Sequence, residues 1–199
     1  MQDYVEQTCD LYKEISGVTK LKYAPTPFLS EGAVTLSDEE EVGALSGDAS
    51  KILMKALWLA RLARPDVLKP IGNLASCVQK WSRACDKRLF RLICYLHSTP
   101  EYRLLACCND KADDLEIVLY TDADFAGERE LGDARSTSGG WLCLHGPNTF
   151  APLAWVAKKQ TSTARSTTEA ETVSLAHSLF GEAIPVWDLW CLLLDKVVP

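Results

Sequence analysis

The stretch that most constrains the fold is Leu115-Glu116-Ile117-Val118-Leu119-Tyr120-Thr121-Asp122-Ala123-Asp124. Its β-branched and aromatic residues fall on both faces, which suits a strand covered on both sides, and it stops on an acidic pair. Downstream, Ser166 and Glu169 have the spacing of a capping box ahead of an apolar-periodic run. Residues 169, 173, 176, 180, 184 and 187 lie three or four apart, and after Glu169 they are Val, Ala, Phe, Ile and Trp. That stripe predicts Glu169 on the core side of the helix. Asp122 shares its side of the strand with Tyr120 and Val118, at the rim of a buried face.

Inward carboxylates are costly unless hydrogen-bonded or neutralised by a cation. Two of them at the ends of two elements make a site for a hard divalent ion, magnesium or manganese. The competing reading is local: Ser166 and Glu169 simply cap a helix, and Asp122 starts a turn.

With 47% hydrophobic and 24% charged residues the chain is globular in type. It has no charged-then-apolar N-terminal signal and no apolar run near the roughly 20 residues that span a bilayer, so an intracellular protein without membrane contact is expected. Eight cysteines form no Cys-x-x-Cys pair and have no His at zinc-ligand spacing. Cys77, Cys94 and Cys191 fall on apolar helical positions, as small core residues with free thiols in a reducing compartment. His97, His145 and His177 show no pairing that points to catalysis.

The net charge of −6 hides an asymmetry. Residues 1–50 sum to −7, residues 51–91 to +8 and the remainder to −7, counted from the sequence. A basic block in an acidic chain can follow a phosphate backbone. The block contains three predicted helices, from Asp48 or Ser50 to Arg64, over 66–80, and over 82–97. The last buries Cys85, Leu89, Leu92, Ile93 and Leu96 and turns Arg83, Lys87 and Arg91 outward as a candidate nucleic-acid track, the alternative being an ordinary solvated face. Residues 29–49, with Ser37-Asp38-Glu39-Glu40-Glu41 between glycines, predict a solvated acidic linker. Beyond it come a short strand near 102–107, the strand ending at Asp122, and a polar loop 125–137 with Arg129 and Arg135, the latter a candidate phosphate contact. Strands near 138–145 and 153–158 then form a meander turning at Gly146-Pro147-Asn148, and a long helix kinks near 181–185 because of Gly181 and Pro185.

Four stretches occur in order: Tyr120-Thr121-Asp122-Ala123-Asp124-Phe125-Ala126-Gly127, then Asp133-Ala134-Arg135-Ser136-Thr137-Ser138-Gly139-Gly140-Trp141. Pro152-Leu153-Ala154-Trp155-Val156-Ala157-Lys158-Lys159-Gln160 and Ser166-Thr167-Thr168-Glu169-Ala170-Glu171 come next. In this order they resemble the ribonuclease H domain of copia-type retrotransposon polyproteins. The stretches 56–76 and 86–104 are similar to the helical segment joining reverse transcriptase to that domain. The resemblance implies an α+β chain: residues 1–49 as a reverse transcriptase tail and acidic linker, 50–100 as a helical connection segment, and 101–199 as a partial ribonuclease-H-like domain. That last part would be a three-stranded antiparallel meander with a long kinked helix. The polymerase's own metal-binding motif is not among these residues, which excludes polymerisation.

The resemblance further implies that Asp122 and Glu169 bind magnesium or manganese for hydrolysis of the RNA strand of an RNA–DNA hybrid. Asp122 would bridge two ions and Glu169 would hold one. A third carboxylate, expected at the end of a later strand, is not found, since Asp188 and Asp195 sit in helical sequence. Weak or absent cleavage is therefore expected. A missing parallel neighbour beside the Asp122 strand would also leave an open edge prone to self-association unless the remainder of a polyprotein covers it. Three readings stand: a ribonuclease H module, a non-catalytic nucleic-acid-binding or scaffold remnant, and an unrelated α+β domain.

Overall fold

A computed structural model describes residues 1–127 and 134–197. The chain is α+β and divides into two units, Met1–Arg103 and Leu104–Pro199. Among the described residues no helix is long and apolar enough to cross a membrane.

The first unit is helical. Helix α1 (Gln2–Ser16) ends at Gly17, whose φ of 72° needs a residue without Cβ strain, and packs on α3 (Ala49–Leu62) and α5 (Arg83–Ser98). Helix α4 (Leu68–Ser76) lies against α3 and α5. The three helices expected in the basic block are present. The middle one is shorter than its predicted span: a 3-10 turn at Pro65–Val67 precedes α4 and another at Val78–Lys80 follows it. Val5, Ile52, Leu53, Leu59, Ile71, Leu89, Leu92, Ile93 and Leu96 interdigitate as the core, and Cys85 is buried beside Leu89 as its periodicity requires.

One charge sits inside this unit. Arg64, 2% exposed, donates from Nε and Nη2 to the Asp66 carboxylate and from its two terminal nitrogens to Thr99 O and Oγ1, all between 2.8 and 3.3 Å. Tyr95 donates its hydroxyl to Asp66 at 2.8 Å. A buried guanidinium is tolerated because each face of its fork has an acceptor.

The expected solvated linker is different in the structure. Residues Leu36–Glu40 form a short helix, α2, whose first turn closes as a capping box: Thr35 Oγ1 accepts from the Asp38 amide at 3.4 Å and Asp38 Oδ2 accepts from the Thr35 amide at 2.9 Å. An acidic run with a Thr-x-x-Asp start has local reasons to be helical, and α2 finds a partner in α5.

In the second unit β1 (Glu116–Asp124), β2 (Thr137–Gly146) and β3 (Thr149–Lys159) form an antiparallel sheet in the order β1-β2-β3. Strand β1 runs two residues past Asp122, which pairs with Gly139. Strand β3 begins earlier than expected. A register shift between Leu142 and Cys143 absorbs Pro152, which has no amide to give a ladder and lies on an edge strand. The expected strand near 102–107 is reduced to one bridge, Cys107 to Phe150. Asp110 accepts from the Asn148 amide at 2.7 Å and from its side chain at 3.0 Å, fixing the β2–β3 turn.

Helix α6 (Thr167–Ser178) crosses β1 and β2, a π-helical turn at Leu179–Ala183 follows, and α7 (Ile184–Val197) continues the rod. The expected interruption takes this form because Pro185 has no amide for Gly181 and its ring crowds that carbonyl, and one widened turn accommodates both.

The buried face of α6 is not the predicted one. Ala170, Ser174 and Ser178 are each 0% exposed, whereas Glu169, Val173, Ala176, Phe180, Ile184 and Trp187 face outward, Phe180 at 70%. Glycines 139 and 140 present bare backbone that admits only small side chains, and the Ser174 hydroxyl reaches the carbonyls of Asp122 and Gly139 at 2.6 and 3.2 Å. A Cβ on Gly140 would fall against Ser178 Oγ and 2.8 Å from Val156 Cγ1. Gly140→Val is therefore expected to lower stability by about 1–3 kcal/mol, read as a lower denaturant midpoint, while Gly139→Ala, whose Cβ meets only the Asp122 carbonyl at 3.6 Å, has a smaller effect.

Candidate functional site

Asp122 lies on β1 opposite Gly139, and its side is exposed, as is that of Tyr120 beside it, instead of forming the rim of a buried face. Its carbonyl, not its carboxylate, ties it to α6 through Ser174. Glu169 lies five residues before Ser174, about 7.5 Å along the helix axis at the usual rise per residue, and is also exposed. Glu169 Oε2 accepts from the Arg165 amide at 2.7 Å, while its own amide donates to Ser166 Oγ at 3.1 Å. The carboxylate therefore caps the helix. This is the local role that the Ser-x-x-Glu spacing allows without any metal.

A hard divalent ion needs several oxygen donors converging on one point. Among the described residues no three His, Cys, Asp or Glu side chains converge in that way. Asp188 and Asp195 are on α7 and exposed. The two carboxylates present, one exposed and one partly committed to a backbone amide, do not by themselves fit a magnesium or manganese ion. Arg135 is half-buried just ahead of β2. Arg129, and the Asp133 that opens the second motif, lie outside the described residues.

The basic stripe of α5 is engaged from within its own unit. Lys87 Nζ lies 2.6 Å from Asp38 Oδ2, Arg83 Nη1 2.7 Å from Glu41 Oε2, and Arg88 Nη2 2.6 Å from Glu39 Oε1. Arg91 donates to Thr26 O and Oγ1 at 2.8 and 3.0 Å. Partners for the stripe thus come from residues 26–41, not from the helix itself. The backbone takes the same path: the Arg83 amide donates to Glu41 O at 2.8 Å and the Gly43 amide to Trp81 O at 3.0 Å. Asp86 accepts from the Ala44 amide at 2.6 Å, the Leu45 amide at 3.3 Å and Trp81 Nε1 at 2.7 Å. Gly43 has no room for a side chain, since a Cβ there would lie 2.6 Å from the Trp81 ring.

The ordering of this strap was not anticipated from the sequence, although the −7 and +8 blocks that meet here were visible in it. Lys87 foremost, then the amide and hydroxyl of Thr35, hold the Asp38 carboxyl below its ordinary value.

No family model matches the chain, and no solved structure matches it. Over 156 residues it is 30% identical to the retrovirus-related Pol polyprotein from transposon RE1 of Arabidopsis thaliana, a match covering 78% of this chain and 10% of that protein. The Pol polyprotein from transposon RE2 of the same plant is 29% identical over 126 residues, covering 63% of this chain and 8% of the relative. Secreted RxLR effector protein 161 of Plasmopara viticola is 33% identical over 127 residues, 61% of this chain and 80% of that protein. The chain thus spans a tenth or less of each polyprotein and most of the effector protein.

The Asp38 pairs have a pH consequence. A carboxyl held low in the folded state stabilises the fold fully above its ordinary pKa of about 4 and progressively less as pH falls below it. Thermal unfolding midpoints of the wild type are expected to drop below pH 4 more steeply than those of Asp38→Asn. At neutral pH the variant should be the less stable of the two. Parallel melting curves down to acid pH would refute the role assigned to Asp38.

Proposed function

The chain belongs to one family with the retrotransposon Pol polyproteins and with secreted RxLR effector protein 161, and on that premise we propose that it is a ribonuclease-H-type segment of a copia-type polyprotein. The observation that carries the reading is the Ser174 bridge to the carbonyls of Asp122 and Gly139. It joins the strand of the first motif, the glycines of the second and the helix of the fourth in one small fold. The activity proposed for the complete module is hydrolysis of the RNA strand of an RNA–DNA hybrid.

In that module Asp122 and Glu169 would be two of the donors to magnesium or manganese, supplemented by at least one further carboxylate. Glu169 would have to give up the Arg165 amide or share it. Without such a donor the isolated chain is a non-catalytic piece, to be completed by the remainder of the polyprotein. The scaffold alternative draws support from the outward stripe of Val173, Phe180, Ile184 and Trp187. The nucleic-acid-track alternative is weakened, because Arg83, Lys87 and Arg91 already have protein partners.

Labelled RNA–DNA hybrid incubated with this chain and magnesium or manganese is expected to stay uncut. A chimera that continues the chain with the sequence beyond the matched stretch in the RE1 polyprotein is expected to cut the RNA strand. Asp122→Asn and Glu169→Gln should each reduce that cleavage at least about 100-fold, in keeping with loss of charge stabilisation at the reacting phosphate. A chimera that folds but does not cut, or cuts equally well without the two carboxylates, overturns the reading.

A further inference from the structure

Ala170, Ser174 and Ser178 hold one side of α6 against the sheet, and the opposite side carries an apolar stripe that runs through the π-helical turn onto α7. Val173, Leu179, Phe180, Ile184, Trp187 and Leu192 make up the stripe. Phe180, Trp187 and Leu192 are 70%, 55% and 59% exposed, and the other three between 37% and 39%. Beyond the turn the imbalance grows. No residue from 184 to 196 is buried, although only Asp188, Asp195 and Lys196 among them are charged. A helix that is apolar on most of its sides is ordinarily covered. We propose that this stripe is a homodimer interface, in which the α6–α7 rods of two copies pack antiparallel about a two-fold axis near Ile184.

The area is of the size a dimer needs. With whole-side-chain areas on the order of 150–250 Å² for the aromatic residues, and less for the aliphatic ones, the exposed parts of the six side chains come to about 550 Å² per copy. The largest apolar patch on an ordinary monomer is about 300–600 Å², so this one stands at the top of that range. A standard interface buries about 800 Å² per partner, of which the apolar part is only a fraction. The stripe and its immediate rim therefore suffice.

A second copy is the occupant that the pattern fits. A two-fold interface must be complementary to itself, and here the two large aromatic side chains flank Ile184 on either side along the rod. Running a second stripe in the opposite direction about Ile184 lays Phe180 of each copy beside Trp187 of the other. Ala176 then faces Cys191, a small residue against a small one, and Val173 faces Leu194. The carboxylates at the rim select the same direction. Parallel rods would set Asp188 and Asp195 beside their own copies, whereas antiparallel rods keep each pair more than about 10 Å apart at the usual rise per residue, a distance at which salt screens them. A polyanion is a poor alternative, since Lys196 is the only lysine or arginine from 167 to 196. Such a dimer does not require the ribonuclease reading.

The test is sedimentation velocity on the full chain over a range of concentrations, with a reductant present so that exposed Cys107 and Cys108 cannot link copies. Interfaces of this size bind at micromolar concentration or below, so dimer is expected to predominate by about 100 μM. Phe180→Asp and Trp187→Asp alter exposed side chains and should keep the wild-type denaturant midpoint of the monomer, yet each should weaken association at least about 30-fold, as for a central aromatic anchor. Orientation is read by cross-linking in a Cys107→Ser, Cys108→Ser background. Ile184→Cys should link to its own copy on mild oxidation, and Val173→Cys, whose two copies would lie about 30 Å apart, should not. A wild type that stays monomeric at about 100 μM overturns the proposal and leaves the stripe to the other unit of the chain or to the remainder of a polyprotein. A dimer that both aspartate variants leave unchanged, or a Val173→Cys chain that links as readily as Ile184→Cys, also overturns it. The wild-type measurement does not depend on any variant folding, and neither result bears on cleavage by the chimera.

Discussion

The second unit depends on how closely α6 can approach the sheet. Ala170, Ser174 and Ser178 lie over Gly139, Gly140 and the backbone of Asp122, and the Ser174 hydroxyl spans two strand carbonyls. Gln160 adds to this from β3, donating to Ser138 Oγ at 3.0 Å and to the Ala170 carbonyl at 2.9 Å. Small side chains, with the Ser174 hydroxyl and the Gln160 amide hydrogen-bonded and the Ser178 hydroxyl buried without a partner among the described residues, thus do what a layer of large apolar residues does elsewhere. The result is a helix turned so that its larger apolar residues face away from the sheet.

The first unit solves a different problem, that of opposite charges separated in sequence. Exposed ion pairs such as Arg83 with Glu41 contribute little individually. What fixes the strap is the burial of Asp38 at 3% exposure, with Thr35, Lys87 and its own helix around it, together with the amides donated to Asp86 and to Glu41 and Trp81 carbonyls. A charge imbalance within a chain therefore has two outlets. It can attract an external polyanion, or it can bring two segments of the chain together, and here the second is realised.

This separates what was legible from what was not. Helix α5, with its Ser82 cap and its buried Leu89, Leu92, Ile93 and Leu96, derives from periodicity and capping within one segment, as do β1, the β2–β3 turn and the Ser166 cap. The α2 strap and the inward face of α6 do not, because each is decided by a partner distant in sequence. Periodicity identifies the apolar stripe of a helix, but which stripe is buried depends on the surface it meets, and glycines 139 and 140 reverse the ordinary preference. The shortening of α4 has a local cause that a sequence reading can overlook, since Pro65 starts a 3-10 turn and Pro70 must sit near the first turn of α4.

The same reversal bears on how an acidic motif is read. Glu169 accepts an amide hydrogen bond that the start of α6 would otherwise lose to solvent, and such capping stabilises a helix by itself. Asp122 occupies a strand position whose carbonyl, available from any residue type, makes the contact with Ser174. Among the described residues the fold thus gives a structural reason to keep Glu169 that is independent of chemistry and no comparable contact of the Asp122 carboxylate. Substituting Asp122 should leave the fold largely intact. Of the two acidic residues, Asp122 is therefore the one whose substitution would separate the proposed activity from stability.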